Sequence, residues 1–226
     1  MINLQNLMDE IRSLNENVTL VAVSKNVSSA EVKALYAQGQ RIFGENRVQE
    51  LAKKCGELGE FTDIKWHMIG RLQNNKINQL LSLRPALWQS CDSFERASEV
   101  NKRLNFTLDT LLQINSANED SKQGVSYENA SEIYMRIKEQ CKNINLKGVM
   151  SIGAHSDDER EVQKSFELSY KIFENLRAHG AQICSMGMSS DFRLAIKCGS
   201  NMIRLGTMLK YDKARQLTLY LSSLRI

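Results

Sequence analysis

The stretch VTLVAVSK, Val18–Lys25, sets three valines and a leucine in a short run and then delivers a lysine. A run that is apolar at consecutive positions, and not only at alternate ones, reads as a strand covered on both faces, the habit of parallel sheets wrapped by helices. Seven more runs of this kind lie downstream: RIFGE (41–45), IKWHMIG (64–70), ALWQSC (86–91), LDTLLQIN (108–115), LKGVMSIG (146–153), QICSMG (182–187) and NMIRLGT (201–207). Helical segments separate them. SSAEVKALYAQG carries Ser28 or Ser29 as a cap, Glu31 in its first turn and Gly39 at its close. NLQNLMDEIRSL adds a helix ahead of the first strand. Strands that alternate with helices eight times predict an α/β fold, a single (β/α)8 TIM-type barrel over residues 1–226 with an extra N-terminal helix. A doubly wound open sheet is the alternative, because counting units does not establish closure.

The 226 residues hold one substantial core and would be cramped as two domains. Basic and acidic residues, 30 against 26, are mixed along the chain, so the net charge of +4 is weak evidence for a nucleic-acid partner. No apolar run approaches the roughly 18 residues of a membrane span, and the N-terminus lacks the basic-then-apolar order of a signal peptide. The expectation is a cytoplasmic protein without a membrane partner. Cys55, Cys91, Cys141, Cys184 and Cys198 are dispersed and form no CxxC pair, which reads as reduced thiols. His67, His155 and His179 show no ligand spacing, so no metal site is expected.

In a barrel, Lys25 would rise at the C-terminal face of the first strand, where ligands bind. A lysine there can form a Schiff base with a carbonyl if burial disfavours its cation, although a lysine at a strand end also snorkels to solvent. The far end of the chain supplies company. SMGMSSD leaves the seventh run through Gly187, with Ser189, Ser190 and Asp191 opening a helix, and RLGT leaves the eighth through Gly206 and Thr207. Loops after the last two strands of such barrels frequently hold a phosphate on backbone N–H groups and hydroxyls, although each loop taken singly reads as a cap or turn. Arg204 is a charge inside an apolar run, which must face a ligand or a partner. An aldehyde for Lys25, a phosphate for the Gly/Ser loops and a ring acceptor for Arg204 are all present in pyridoxal 5′-phosphate (PLP). The polar stretch SANEDSKQG (116–124) follows the fifth run and would lie at the same face.

The motifs AVSKN, FGENRVQE, WHMIGRLQNNK, LLQINSANEDSKQG, LKGVMSIG, SMGMSSDF and IRLGT, in order over about residues 18 to 210, resemble those of the pyridoxal phosphate homeostasis protein family. The resemblance implies one barrel similar to the N-terminal domain of alanine racemase (PLP fold type III). It implies PLP held as an aldimine on Lys25, phosphate contacts from Ser189, Gly206 and Thr207, Arg204 facing the pyridine nitrogen, and Asn46 near the cofactor. It also implies a protein that stores, buffers or delivers PLP, and so influences amino-acid and keto-acid balance. PLP-dependent apoenzymes are the expected recipients, no catalysis is expected, and a monomer is expected because the second domain and partner subunit used by racemases of this barrel are missing. The sequence departs from the family pattern at Arg71, at Gly153 and at Leu209–Lys210, beside the expected site. Two enzymatic alternatives stand: a weak racemase using Lys25 with Tyr36 or Tyr211, and a cofactor-free barrel in which Lys25 binds a substrate carbonyl.

Overall fold

The computed structural model describes residues 4–116 and 123–209. The expected runs all form strands: β1 (Thr19–Val23), β2 (Ile42–Glu45), β3 (Lys65–Met68), β4 (Leu87–Cys91) and β5 (Leu108–Asn115). An unforeseen two-residue β6 (Val125–Ser126) comes next, then β7 (Ile144–Ser151), β8 (Ile183–Ser185) and β9 (Met202–Leu205). Every pairing is parallel, and the sheet runs β4-β3-β2-β1-β9-β8-β7-β5 before β4 pairs β5. That last pairing closes an eight-stranded barrel and removes the open sheet from consideration. β6 sits outside the circuit, paired to the end of β5 through Ile114 and Val125.

Helices cover the outside: α1 (Leu4–Leu14), α2 (Ser29–Ala37), α3 (Val48–Glu57), α4 (Ile77–Ser82), α5 (Phe94–Asn101), α6 (Ala130–Gln140), α7 (Glu159–Arg177) and α8 (Phe192–Lys197). Ser28 is the cap of α2, and its side chain and that of Glu31 satisfy each other's backbone N–H groups as a capping box. The extra helix α1 buries Leu4, Leu7 and Ile11, which share one face by their spacing and pack with Val18, Leu20 and Ile203. Each such side chain contributes roughly 1.5–3 kcal/mol by leaving water.

Strand register sorts the side chains into two layers. Leu20, Ala22, Phe43 and Ile203 face outward and meet the helices. Val21, Leu87, Leu111, Met150 and Met202 fill the barrel interior. Arg204 is the register partner of Val21, and His67 that of Gly44, so both also point inward. A polar layer therefore lies within the barrel beside the apolar one. No described helix is long and apolar enough to cross a membrane, and the described His, Cys, Asp and Glu residues form no metal-binding group.

Candidate functional site

β1 ends at Val23, two residues short of the lysine. Lys25 instead occupies a reverse turn in which the Val27 N–H donates to the Ser24 carbonyl at 3.1 Å. Asn26, at φ 58°, takes the left-handed position of that turn, a conformation asparagine tolerates better than most residues. Lys25 is exposed, as a lysine reaching to solvent from a strand end would be, because a turn beyond the strand end rises clear of the wall. It nevertheless lines a cavity of about 650 Å³ at the C-terminal mouth of the barrel. Asn46, the residue after β2, lines the same cavity.

Beside the Lys25 turn, after the neighbouring β9 and the β8 next to it, lie the two Gly/Ser loops. Gly187 has φ 98°, and a Cβ there would stand 2.6 Å from the Ala195 Cβ, so the loop after β8 both needs the left-handed conformation and lies tight against α8. The turn it makes brings Ser189 to β9: the Gly206 N–H donates to the Ser189 hydroxyl at 3.2 Å. Thr207 follows as the first residue of a short 3-10 turn. Ser189, Gly206 and Thr207 all line the cavity. α8 has only six residues, so the donors these loops present are hydroxyls and loop amides more than a helix dipole. Asp191, which the sequence sets beside Ser189 and Ser190 at the helix start, accepts from the Met188 N–H at 2.6 Å and is not among the residues lining this cavity.

Arg204 is 5% exposed and reaches the cavity from inside the barrel. Its Nη1 donates to the Ser185 hydroxyl at 2.6 Å and its Nη2 to the Ser151 carbonyl at 2.8 Å. Ser185 in turn donates to Gln89 Oε1 at 2.8 Å, and Gln89 Nε2 lies 2.9 Å from His67 Nδ1. A guanidinium can only donate, so the order along this chain runs one way and leaves the imidazole proton on Nε2. Burial, reinforced by the charge of Lys65, pushes the His67 pKa down to about 3, so this relay ends on a neutral ring. Burial also pushes Arg204 down to about 10, which leaves it a cation at neutral pH. The guanidinium carries more donors than these two bonds use.

The cavity thus gathers Lys25, Asn46, Ser189, Arg204, Gly206 and Thr207. Sequence reasoning missed Ser185, Gln89 and His67. Their signal was polarity at inward-facing positions of apolar strands. It also missed a buried ion pair, Glu45 with Lys54, behind the wall below Lys25. Tyr36, considered as a base, is not among the cavity residues: it sits on α2 and donates to Asp63 at 2.6 Å, because the outer face of a helix is turned away from the mouth. Tyr211, Lys210 and most of the SANEDSKQG loop lie outside the described residues. Arg71 borders a neighbouring cavity of about 610 Å³ together with Asn46 and Lys76. Gly153 sits against α7, where a Cβ would stand 2.9 Å from Phe166.

A closed parallel barrel with a lysine in the turn after its first strand and Gly/Ser loops after its last two defines the class of alanine racemase-type barrels. The family model described as alanine racemase, N-terminal domain, matches residues 2–213. The chain is 52% identical over 195 residues to the pyridoxal phosphate homeostasis protein of Helicobacter pylori, a match spanning 85% of this chain and 86% of that one. It belongs to the pyridoxal phosphate homeostasis protein family. Among solved structures, PipY of Synechococcus elongatus PCC7942 with PLP bound is similar, with a TM-score of 0.78, 30% identity, and coverage of 89% of this chain and 98% of that one. An alanine racemase of Clostridium difficile shares the fold alone, with 18% identity and a TM-score of 0.71, over 93% of this chain and 57% of that one.

Proposed function

We propose that this chain binds pyridoxal 5′-phosphate and serves its homeostasis by storing, buffering or delivering it, without turning over a substrate. The observation that carries the reading is the convergence of a primary amine, a hydroxyl-and-amide cradle and a fixed guanidinium on one cavity. This donor set fits PLP. Ser189, Gly206 and Thr207 would hold its phosphate, Arg204 would face the ring nitrogen, Asn46 would flank it, and Lys25 would be the covalent anchor. When bound, PLP supplies an aldehyde that condenses reversibly with primary amines and a ring that withdraws electrons.

The chain's own residues favour holding over turnover. Arg204 is a buried donor that stays protonated, so it can hydrogen-bond a ring nitrogen without giving up its proton, and this limits the ring as an electron sink. Among the described residues lining the cavity, Lys25 and Arg204 are those with an ionisable side chain. A racemase needs acid–base groups on both faces of its substrate. The relatives' name supports the same reading. PLP-dependent apoenzymes are the recipients this role calls for.

The test is an absorbance spectrum of the purified protein with PLP, before and after borohydride, followed by mapping of the modified lysine. The expected adduct is on Lys25, with Lys25→Ala losing it. An adduct on Lys76 or Lys210, or undiminished binding by Lys25→Ala, overturns the assignment. Exchange of an amino-acid α-deuterium at catalytic rates would restore the racemase reading.

A further inference from the structure

Glu45 and Lys54 are 1% and 3% exposed, and they pair with each other in the layer between the barrel wall and α3. Nothing in the proposed binding of PLP uses either residue directly. On α3 the buried positions are Val48, Leu51 and Lys54, so the lysine takes a place on the apolar stripe that an aliphatic side chain would ordinarily fill. Removing two charges from water is costly, and a well-packed hydrophobic pair is often as stable or more so. Stability alone is a poor reason for this pair.

Its remaining bonds give a better one. Lys54 Nζ donates to the Ser24 carbonyl at 2.7 Å, the same carbonyl that closes the turn carrying Lys25. The Ser24 hydroxyl donates to Glu45 Oε1 at 2.8 Å. The Asn46 N–H donates to Glu45 Oε2 at 3.3 Å. One buried pair therefore grips the residue before Lys25 and the backbone of Asn46 at once, joining the ends of β1 and β2. On the far side, a Cβ at Gly70 would run into the Asn46 backbone, so that strand end is confined from both directions.

We infer that Glu45 and Lys54 are positioning residues that fix the Lys25 turn against Asn46, so that the amine meets the aldehyde of PLP in a reactive orientation. This rests on the proposed role of Lys25 and goes beyond it. The bonds of the brace reach Ser24 and Asn46, after β1 and β2, whereas Ser189, Gly206 and Thr207 belong to the loops after β8 and β9 and are held by bonds of their own. Capture and non-covalent binding should therefore separate when it is removed.

The experiment uses two probes, PLP and pyridoxine 5′-phosphate, which keeps the ring and phosphate but has no aldehyde. Glu45→Leu combined with Lys54→Met removes both charges together and leaves the Ser24 carbonyl its bond from Val27. Urea unfolding should show this double variant folded. Its affinity for pyridoxine 5′-phosphate should match the parent, while borohydride-trapped capture of PLP at Lys25 slows by about tenfold or more, as expected of a misplaced reacting group. Ser24→Ala, a milder cut that keeps the ion pair, should slow capture less and also spare pyridoxine 5′-phosphate. Unchanged capture in Ser24→Ala and in the folded double variant overturns the inference, as does equal weakening of both probes. If the double variant does not fold, Ser24→Ala decides. Failure of the parent protein itself to form an adduct at Lys25 sinks the PLP reading, and is seen before any variant is compared.

Discussion

His67 shows how one side chain links the site to acid stability. Burial, with a smaller contribution from Lys65, holds its native pKa at about 3 against an ordinary value of 6.5. Between those values the unfolded chain binds a proton that the native ring refuses, so native stability is lost as pH falls through this window. From pH 7 to pH 5 this amounts to about 2 kcal/mol. In His67→Gln that part of the acid sensitivity should vanish, so urea unfolding at the two pH values should show a gap about 2 kcal/mol narrower than the parent's. An unchanged gap would mean that His67 takes up a proton in the native state. The lysine, the lone arginine of a strand and the Gly/Ser loops were legible in the sequence because each breaks a local pattern. His67, Gln89 and Ser185 were not, since their meaning lies in contacts between distant strands: Gln89 and Ser185 are 96 positions apart. Glu45 and Lys54 were hidden for a similar reason, the pair being made between a strand end and the stripe of a helix.

At the scale of elements, the apolar runs located every barrel strand, because a strand buried on both faces leaves a continuous signature. Their ends were less legible. Lys25 falls in a turn because the Ser24 carbonyl bonds Val27 where a strand would continue, and β6 is too short to leave a pattern. The β8–α8 connection tests how far a turn governs the site. Gly187→Ala puts a side chain where φ is 98° and where the Ala195 Cβ stands 2.6 Å away. The conformational cost of about 1–2 kcal/mol and an overpacking cost of about 1–3 kcal/mol act together. Thermal unfolding should therefore show a large fall in the midpoint, and affinity for pyridoxine 5′-phosphate should fall with it, because Ser189 reaches Gly206 only through this turn. A destabilised variant that binds with full affinity would separate the cradle from the loop's geometry.

At the scale of the whole molecule, closure is what makes a site from the two ends of the sequence. Lys25 follows β1 and Gly206 follows β9, and these strands are neighbours because the barrel returns on itself, with Val21 beside Arg204. A ligand spanning the mouth would therefore tie the first strand to the last, and the expected signature is joint protection. With saturating PLP, amide exchange should slow at residues 24–27 and at 204–207 together, with residues 187–190 following, while α5, away from the cavity, changes little. The global unfolding transition should rise as well, by about 2.7 kcal/mol when free ligand exceeds Kd a hundredfold, before any gain from covalent capture. Protection confined to the Lys25 turn would describe an exposed lysine that reacts with aldehydes adventitiously. Protection confined to the β8 and β9 loops would describe a phosphate site that the lysine does not serve. Only slowing at both ends, lost at the first in Lys25→Ala and weakened at the second in Gly187→Ala, fits a single ligand held by both strands.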